Sequence, residues 1–333
     1  MQKKITRLEH PRHHHMVGDG FRVAQYIPGY GREMGNDTSP FLMLDYNAPW
    51  TIPPQTDWHR PGVGYHPHRG FETVTIVYSG EVEHQDTAGN GGVIGADEVQ
   101  WMTAGSGLLH NEFMTHEFSR TWGVQHAVQL WVNLPREYKM TPPRYQALTR
   151  ENIPEIVFDG GVVRVIAGEW IMNNYQWKII EQAGVAETFS PVELSDVRFF
   201  VNSTEREGRA DASLRSEWQS EEKRQIVLNF PEGYNAMILV TEWSITVNEK
   251  ILENGDMIFL SREGTELCLE YNGKNPQSST GSDHSTIIWA RVLVMAGKPL
   301  DEPVAAYGPF VMNTQSEIMQ AFADLNAGKM GAL

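Results

Sequence analysis

The chain has 333 residues, 41% of them hydrophobic and 21% charged, and carries a formal net charge of −15. That length leaves room for two domains of ordinary size. The acidic balance argues against a broad basic face for direct nucleic-acid contact, and no apolar run reaches the about 18 residues that a membrane-spanning helix needs.

The one cysteine, Cys268, excludes an internal disulfide and fits a reducing compartment, so the protein is expected in the cytoplasm. The opening stretch MQKKITRLEHPRHHH has charge but no apolar run behind it, so a secretory signal is not expected.

Strand signals are strong from about residue 70. Phe71-Glu72-Thr73-Val74-Thr75-Ile76-Val77-Tyr78 is rich in β-branched and aromatic residues, which suit a pleated surface, and Ser79-Gly80 turns the chain. Glu81–His84 resumes an extended pattern. The glycine-containing cluster at 86–92 turns the chain again, and Val93-Ile94 and Val99–Met102 follow. Ala104–Gly107 interrupts before Leu108–Phe113. Short strands at this spacing, punctuated by glycine, predict an all-β barrel or sandwich.

Two later stretches read as loops: the charged segment 203–224 as a surface insertion, and 272–286 as a second connection. Tyr234–Val240, Trp243–Val247, Glu253–Leu260 and Leu267–Tyr271 repeat the order of strand and turn found in 71–113, which suggests an internal duplication. The second copy has no histidine at a comparable place, so only the first is expected to carry a metal. Near the end, Thr314 and Glu317 form a capping box, Ile318, Phe322 and Leu325 an apolar stripe, and Gly328 a suitable C-terminal cap. One short helix is predicted there, packed on a barrel.

The chemistry lies in His66-Pro67-His68. On a strand, side chains two apart share a face, so both imidazoles can turn toward one ion. His110 and Glu112 repeat that spacing 44 residues later. Three neutral nitrogens and one anionic oxygen suit a divalent first-row metal: iron, manganese, cobalt, nickel, copper or zinc.

The remaining histidines have blander readings. His13-His14-His15 reads as a solvated loop or strand start, and His59 as a residue at the cavity mouth. His84, His116 and His126 lack partners at ligand spacing and read as structural or surface groups. Trp101, Met102, Phe113 and Trp131 read as core whose bulk shapes an apolar pocket beside the metal.

These motifs extend well beyond the ligands. His66–Thr75, Gly80–His84, Gly91–Gly95, Val99–Gly105, His110–Glu112, Gln129–Pro135 and Tyr307–Thr314 resemble the pirin family of the cupin superfamily. The resemblance runs over about 15–140, 161–180 and 290–328. It implies a bicupin fold, two jelly-roll β-barrels in tandem with a short C-terminal helix. Residues 1–145 would form the metal-binding barrel, and 146–333 a barrel without a metal site that bears the insertion at 203–224. The family pattern of His-x-His and His-x-Glu falls on His66, His68, His110 and Glu112, with Fe(II) the expected ion.

Glu72 stands near the place where many cupins supply a carboxylate, but the spacing is one residue short. It is read as a neighbour of the site or as a partner of an arginine such as Arg69.

The resemblance also implies an activity, cleavage of a flavonol such as quercetin with O₂. Glu112 is then the general base that takes the substrate's hydroxyl proton. The ligands are a small aromatic molecule and O₂, with neither nucleic acid nor membrane, and a monomer is expected. The alternative is a redox-responsive, metal-dependent regulator that acts through a protein partner.

Overall fold

The computed structural model describes residues 1–10, 13–27, 37–55, 58–158, 160–173, 179–200, 224–271 and 289–331. The segments 203–223 and 272–286, read as an insertion and a loop, lie outside the described residues. The described chain is mostly antiparallel β-strand, with a 12-residue C-terminal helix, Gln315–Asn326.

Two compact units form, each assembled from three separate segments of the sequence. One comprises 11–152, 186–191 and 297–333; the other comprises 1–10, 153–185 and 192–296. A single cut near 145 therefore misassigns both termini. The first ten residues supply the strand Ile5–Glu9, which pairs with Met257–Leu260, and the last 37 complete the unit that bears the histidines.

In that histidine-bearing unit a seven-stranded sheet faces a four-stranded one. The larger runs Arg144–Leu148, Glu98–Thr103, Phe71–Ser79, Gly123–Asn133, Phe41–Ile52, Phe21–Ile27, His15–Val17. The smaller runs Gly62–His68, Leu108–Phe113, Val82–Asp86, Gly91–Ile94. The predicted strands at 71–78, 99–102 and 108–113 are recovered nearly to the residue. The sheets face each other as a cupin jelly roll and are not hydrogen-bonded into closed barrels. The other unit repeats the plan with a seven- and a six-stranded sheet around an aliphatic and aromatic core that includes Trp170, Phe199 and Leu267.

Two local features set the histidine strand in place. Gly70, at φ +88°, makes the turn between Gly62–His68 and Phe71–Ser79; a Cβ there would meet the Val311 carbonyl oxygen at 2.0 Å, so only glycine fits. Behind Leu108–Phe113 lies the C-terminal helix. Thr314 and Glu317 form its capping box, and Gly328 follows the last turn at φ +72°. Ile318, Ala321, Phe322 and Leu325 pack with Phe310, Met312 and Leu109. Leu109 thus faces the helix while its neighbour His110 faces the space between the sheets, as the two-residue period of a strand requires. No helix among the described residues is long and apolar enough to cross a membrane.

The second unit buries an unusual acid. Glu193 is 5% exposed, and its Oε2 has no hydrogen-bond partner among the described residues. Burial, then the nearby Glu169, pushes its carboxyl up to about 8, against the opposing pull of Lys3. A raised value means the folded state holds the proton more tightly than the unfolded chain does. The associated stability is complete below about pH 4.5 and is lost as pH rises through about 8. Melting temperature is expected to fall across that window, and Glu193→Gln to flatten the decline; an unchanged slope in thermal melts from pH 5 to 9 would contradict it.

Candidate metal centre

The strands Gly62–His68 and Leu108–Phe113 pair antiparallel, with His110 opposite His66 and Leu108 opposite His68. The register shifts between His110 and Glu112, because Glu112 pairs with Val63. The first strand therefore carries one extra residue, a β-bulge of the kind that re-aims a side chain. The carbonyl of Gly64, inside the bulge, accepts a 2.9 Å bond from His66 Nδ1. Pairing alone sets His66 and His110 side by side, and the bulge turns the His66 ring.

Three imidazoles converge as a result. Ring centroids lie 4.2 Å apart for His66 and His110, 4.8 Å for His66 and His68, and 4.9 Å for His68 and His110. Phe71 and Trp131, with centroids 5.0 and 5.1 Å from that of His68, form an aromatic wall behind it.

On each ring Nδ1 is engaged away from the cluster. His66 donates to Gly64, and His68 Nδ1 points at the Pro309 carbonyl at 3.5 Å. His110 Nδ1 lies 3.2 Å from His84 Nδ1, and His84 Nε2 lies 3.4 Å from Asp86 Oδ2. Since the carboxylate only accepts, His84 donates from Nε2, and its Nδ1 accepts a hydrogen bond from His110 Nδ1–H. That tautomer leaves the lone pair on His110 Nε2, which is buried with no partner in the described structure. Burial, reinforced by the proximity of His66, holds His68 and His110 well below the usual histidine range, so both stay neutral. Neutral imidazoles with converging lone pairs, one of them orphaned in the interior, suit a divalent cation.

Glu112 is held differently. Its Oε1 accepts from Gln100 Nε2 at 2.5 Å and from Thr75 Oγ1 at 3.2 Å, while Oε2 accepts from Gln129 Nε2 at 2.9 Å. These donors belong to one continuous row across the larger sheet, because Gln25 pairs with Asp45, Asp45 with Gln129, Gln129 with Thr75, and Thr75 with Gln100. Beside this row lies a cavity lined by Asp45, Asn47, His66, Thr75, Glu112 and Gln129 together with apolar side chains such as Phe21 and Val63. Burial pushes the Asp45 carboxyl up to about 6, partly offset by a hydrogen bond from Gln25.

The four residues singled out in the sequence fall into two overlapping sets. His66, His68 and His110 form one, and His84, His110 and Glu112 the other; within each, the ligand atoms lie within 4.8 Å of one another. Glu112 thus reaches the imidazole group through His110.

His84 is missed by spacing alone. It is fully buried and stacked on Tyr145, with ring centroids 4.7 Å apart, rather than at the surface. Polar residues inside apolar strands, Gln100 and Gln129 among them, were the available signal, since buried polar groups must find partners.

Glu72 points the other way. Thr75 turns into the cavity, so Glu72, an odd number of residues earlier, lies on the opposite face of the same strand. There it accepts from Thr103 and Thr188. Arg69, its suggested partner, bonds instead to Asp324 at 2.9 Å and to the Ser106 carbonyl at 2.7 Å. His59 pairs with Asp19 at the surface, and His126 is buried against the Tyr46 hydroxyl.

A two-sheet jelly roll that gathers imidazoles and a carboxylate on its inner faces defines a cupin with a candidate metal centre. The pirin family model matches residues 20–132, and the model of the pirin C-terminal cupin domain matches 216–331. A Pseudomonas aeruginosa protein named "Putative quercetin 2,3-dioxygenase PA2418" is 39% identical over 329 residues, covering 98% of each chain. A Solanum lycopersicum pirin-like protein is 35% identical, covering 94% of this chain and 88% of its own. The crystal structure of a quercetin 2,3-dioxygenase from Acinetobacter baumannii is 41% identical, with a TM-score of 0.79 and coverage of 100% and 99%. The chain belongs to the pirin family.

If the imidazole group takes a cation, ligand and fold are linked by mass action. A divalent metal at a hundredfold its dissociation constant is expected to add about 2.7 kcal/mol to stability. His110→Phe, which removes the orphaned nitrogen and the bond to His84 at similar volume, is expected to abolish the metal-induced shift in melting temperature. A shift of equal size in the variant, read by calorimetry, would contradict this.

Proposed function

We propose that the protein is a metal-dependent dioxygenase that cleaves flavonols such as quercetin with O₂, with His66, His68, His110 and Glu112 as the ligands of one divalent ion. Fe(II) is the ion we infer, and the lone Cys268 favours a reducing, cytoplasmic setting. The observation that carries the reading is the convergence of three imidazoles, one with an Nε2 orphaned among the described residues, beside a carboxylate that lines a cavity. The similarity to the A. baumannii dioxygenase supports the choice of reaction.

A bound divalent ion would supply Lewis acidity that lowers the pKa of a coordinated hydroxyl. The chain's own residues do the rest. Glu112 takes the flavonol hydroxyl proton on Oε2, which among the described residues accepts from Gln129 alone, while Gln100 and Thr75 hold Oε1 in place. Phe71 and Trp131 keep the His68 side of the site dry and fix its ring.

Metal-loaded protein mixed with quercetin is expected to consume the flavonol absorbance only when O₂ is present, and to release carbon monoxide. Glu112→Gln is expected to lower turnover by roughly 10²–10⁴-fold while retaining part of the metal, and His66→Ala to lose both metal and turnover. Absence of turnover with iron, manganese, cobalt, nickel and copper would overturn the enzymatic reading and favour a regulator that acts through a protein partner.

A further inference from the structure

The cavity holds two further acceptors that the metal chemistry leaves unused. Asp45 and Asn47 stand two apart on the strand Phe41–Ile52, share one face of it, and line the same cavity as His66 and Glu112. They are 7% and 3% exposed. Asp45 Oδ1 accepts a 3.1 Å bond from Gln25 Nε2, and among the described residues no second donor reaches the carboxylate. Asn47 donates to the Arg22 carbonyl at 2.8 Å, which fixes its amide, and its Oδ1 is buried without a partner in the described structure. A buried acceptor without a donor is costly, and the Asn47 oxygen, set beside a carboxylate that accepts from Gln25 alone among the described residues, marks where a donor is to arrive from outside.

Their place in the sheet says how far away. Asp45 pairs with Gln129, which holds Glu112 Oε2, and Gln129 pairs with Thr75, which holds Oε1, so Asp45 stands one strand, roughly 5 Å, from the nearer support of Glu112 and two, roughly 10 Å, from the farther. Between them lies Gln129, whose amide is already given to Glu112. Phe21, Val23 and Val63 supply apolar walls that suit an aromatic ring.

We propose that Asp45 and Asn47 bind a second hydroxyl of a polyhydroxylated aromatic substrate, distant from the hydroxyl presented to the metal ligands and to Glu112. The pair is a specificity element: it selects polyphenols over aromatics bearing only the hydroxyl that reacts. The identity of the substrate class rests on the dioxygenase reading above; the orphaned Asn47 oxygen and the Asp45 carboxylate beside it do not.

The test compares two ligands on the full-length, metal-loaded protein without O₂, so that binding is read without turnover. Quercetin carries hydroxyls on both ring systems, whereas 3-hydroxyflavone has only the one directed at the metal. Wild type is expected to bind quercetin about tenfold or more tightly than 3-hydroxyflavone, the worth of a hydrogen bond to a charged group. Asp45→Leu is expected to weaken quercetin by that factor, leaving 3-hydroxyflavone and metal content unchanged. Asp45→Asn, which keeps shape and an acceptor oxygen, is expected to lose less, and it serves if the leucine variant does not fold.

Equal affinity of wild type for the two ligands, or equal weakening of both in the variants, overturns the proposal and leaves the dioxygenase reading standing. Failure of wild type to bind either flavonol overturns the dioxygenase reading, and the substrate assignment falls with it.

Discussion

The pairing of His110 with His66 across two antiparallel strands, and the bulge one step further on, sets everything else at the centre. Without the pairing, two His-containing motifs 44 residues apart in sequence have no reason to meet. Because side chains alternate, the same pairing sends Leu109 to the C-terminal helix and His110 to the cavity. The bulge then supplies the Gly64 carbonyl that holds His66 Nδ1, so the ring presents Nε2 inward. Backbone geometry, rather than any single side chain, brings three imidazoles within one ligand sphere.

Such an arrangement is expensive for a metal-free interior. Two buried imidazoles must remain neutral, and one nitrogen has no hydrogen-bond partner among the described residues. The surrounding network limits the cost without removing it. Asp86 and His84 fix the tautomer of His110 from one side, and the row of Thr75, Gln100 and Gln129 holds Glu112 from the other. Arg69, next to His68, is tied to Asp324 of the C-terminal helix, so the last segment of the chain braces the first motif. A core that spends stability in this way is organised around a ligand rather than around folding alone.

Much of this was legible in the residues. The β-branched run at 71–78, the glycine punctuation and the capping box at Thr314 mark their elements because each is a local signal whose physics does not depend on distant neighbours. His-x-His and His-x-Glu are equally local, and period-two geometry suffices to place each pair on one face. What escaped was the product of pairing. His84 and Asp86 enter the site only because their strand lies beside Leu108–Phe113. The role of Asp45 follows from a cross-strand row in which Gln129 joins it to Thr75 across segments more than 50 residues apart. Glu72 stands one residue short of the usual carboxylate spacing, and strand parity turns it to the opposite face, where it meets Thr103 and Thr188 rather than Arg69. The division of the chain escaped for a related reason: Ile5–Glu9 satisfies its backbone on a strand some 250 residues away, which no local signal announces.

Diffraction from crystals of the metal-loaded protein, measured across the metal's absorption edge, locates the ion directly. The expected result is a single anomalous peak within about 2.0–2.2 Å of the inward nitrogens of His66, His68 and His110, with a Glu112 oxygen as the remaining protein ligand. A peak bonded instead to the Nδ1 atoms of His84 and His110, a peak on the His13–His15 segment, or no peak between the sheets would contradict it.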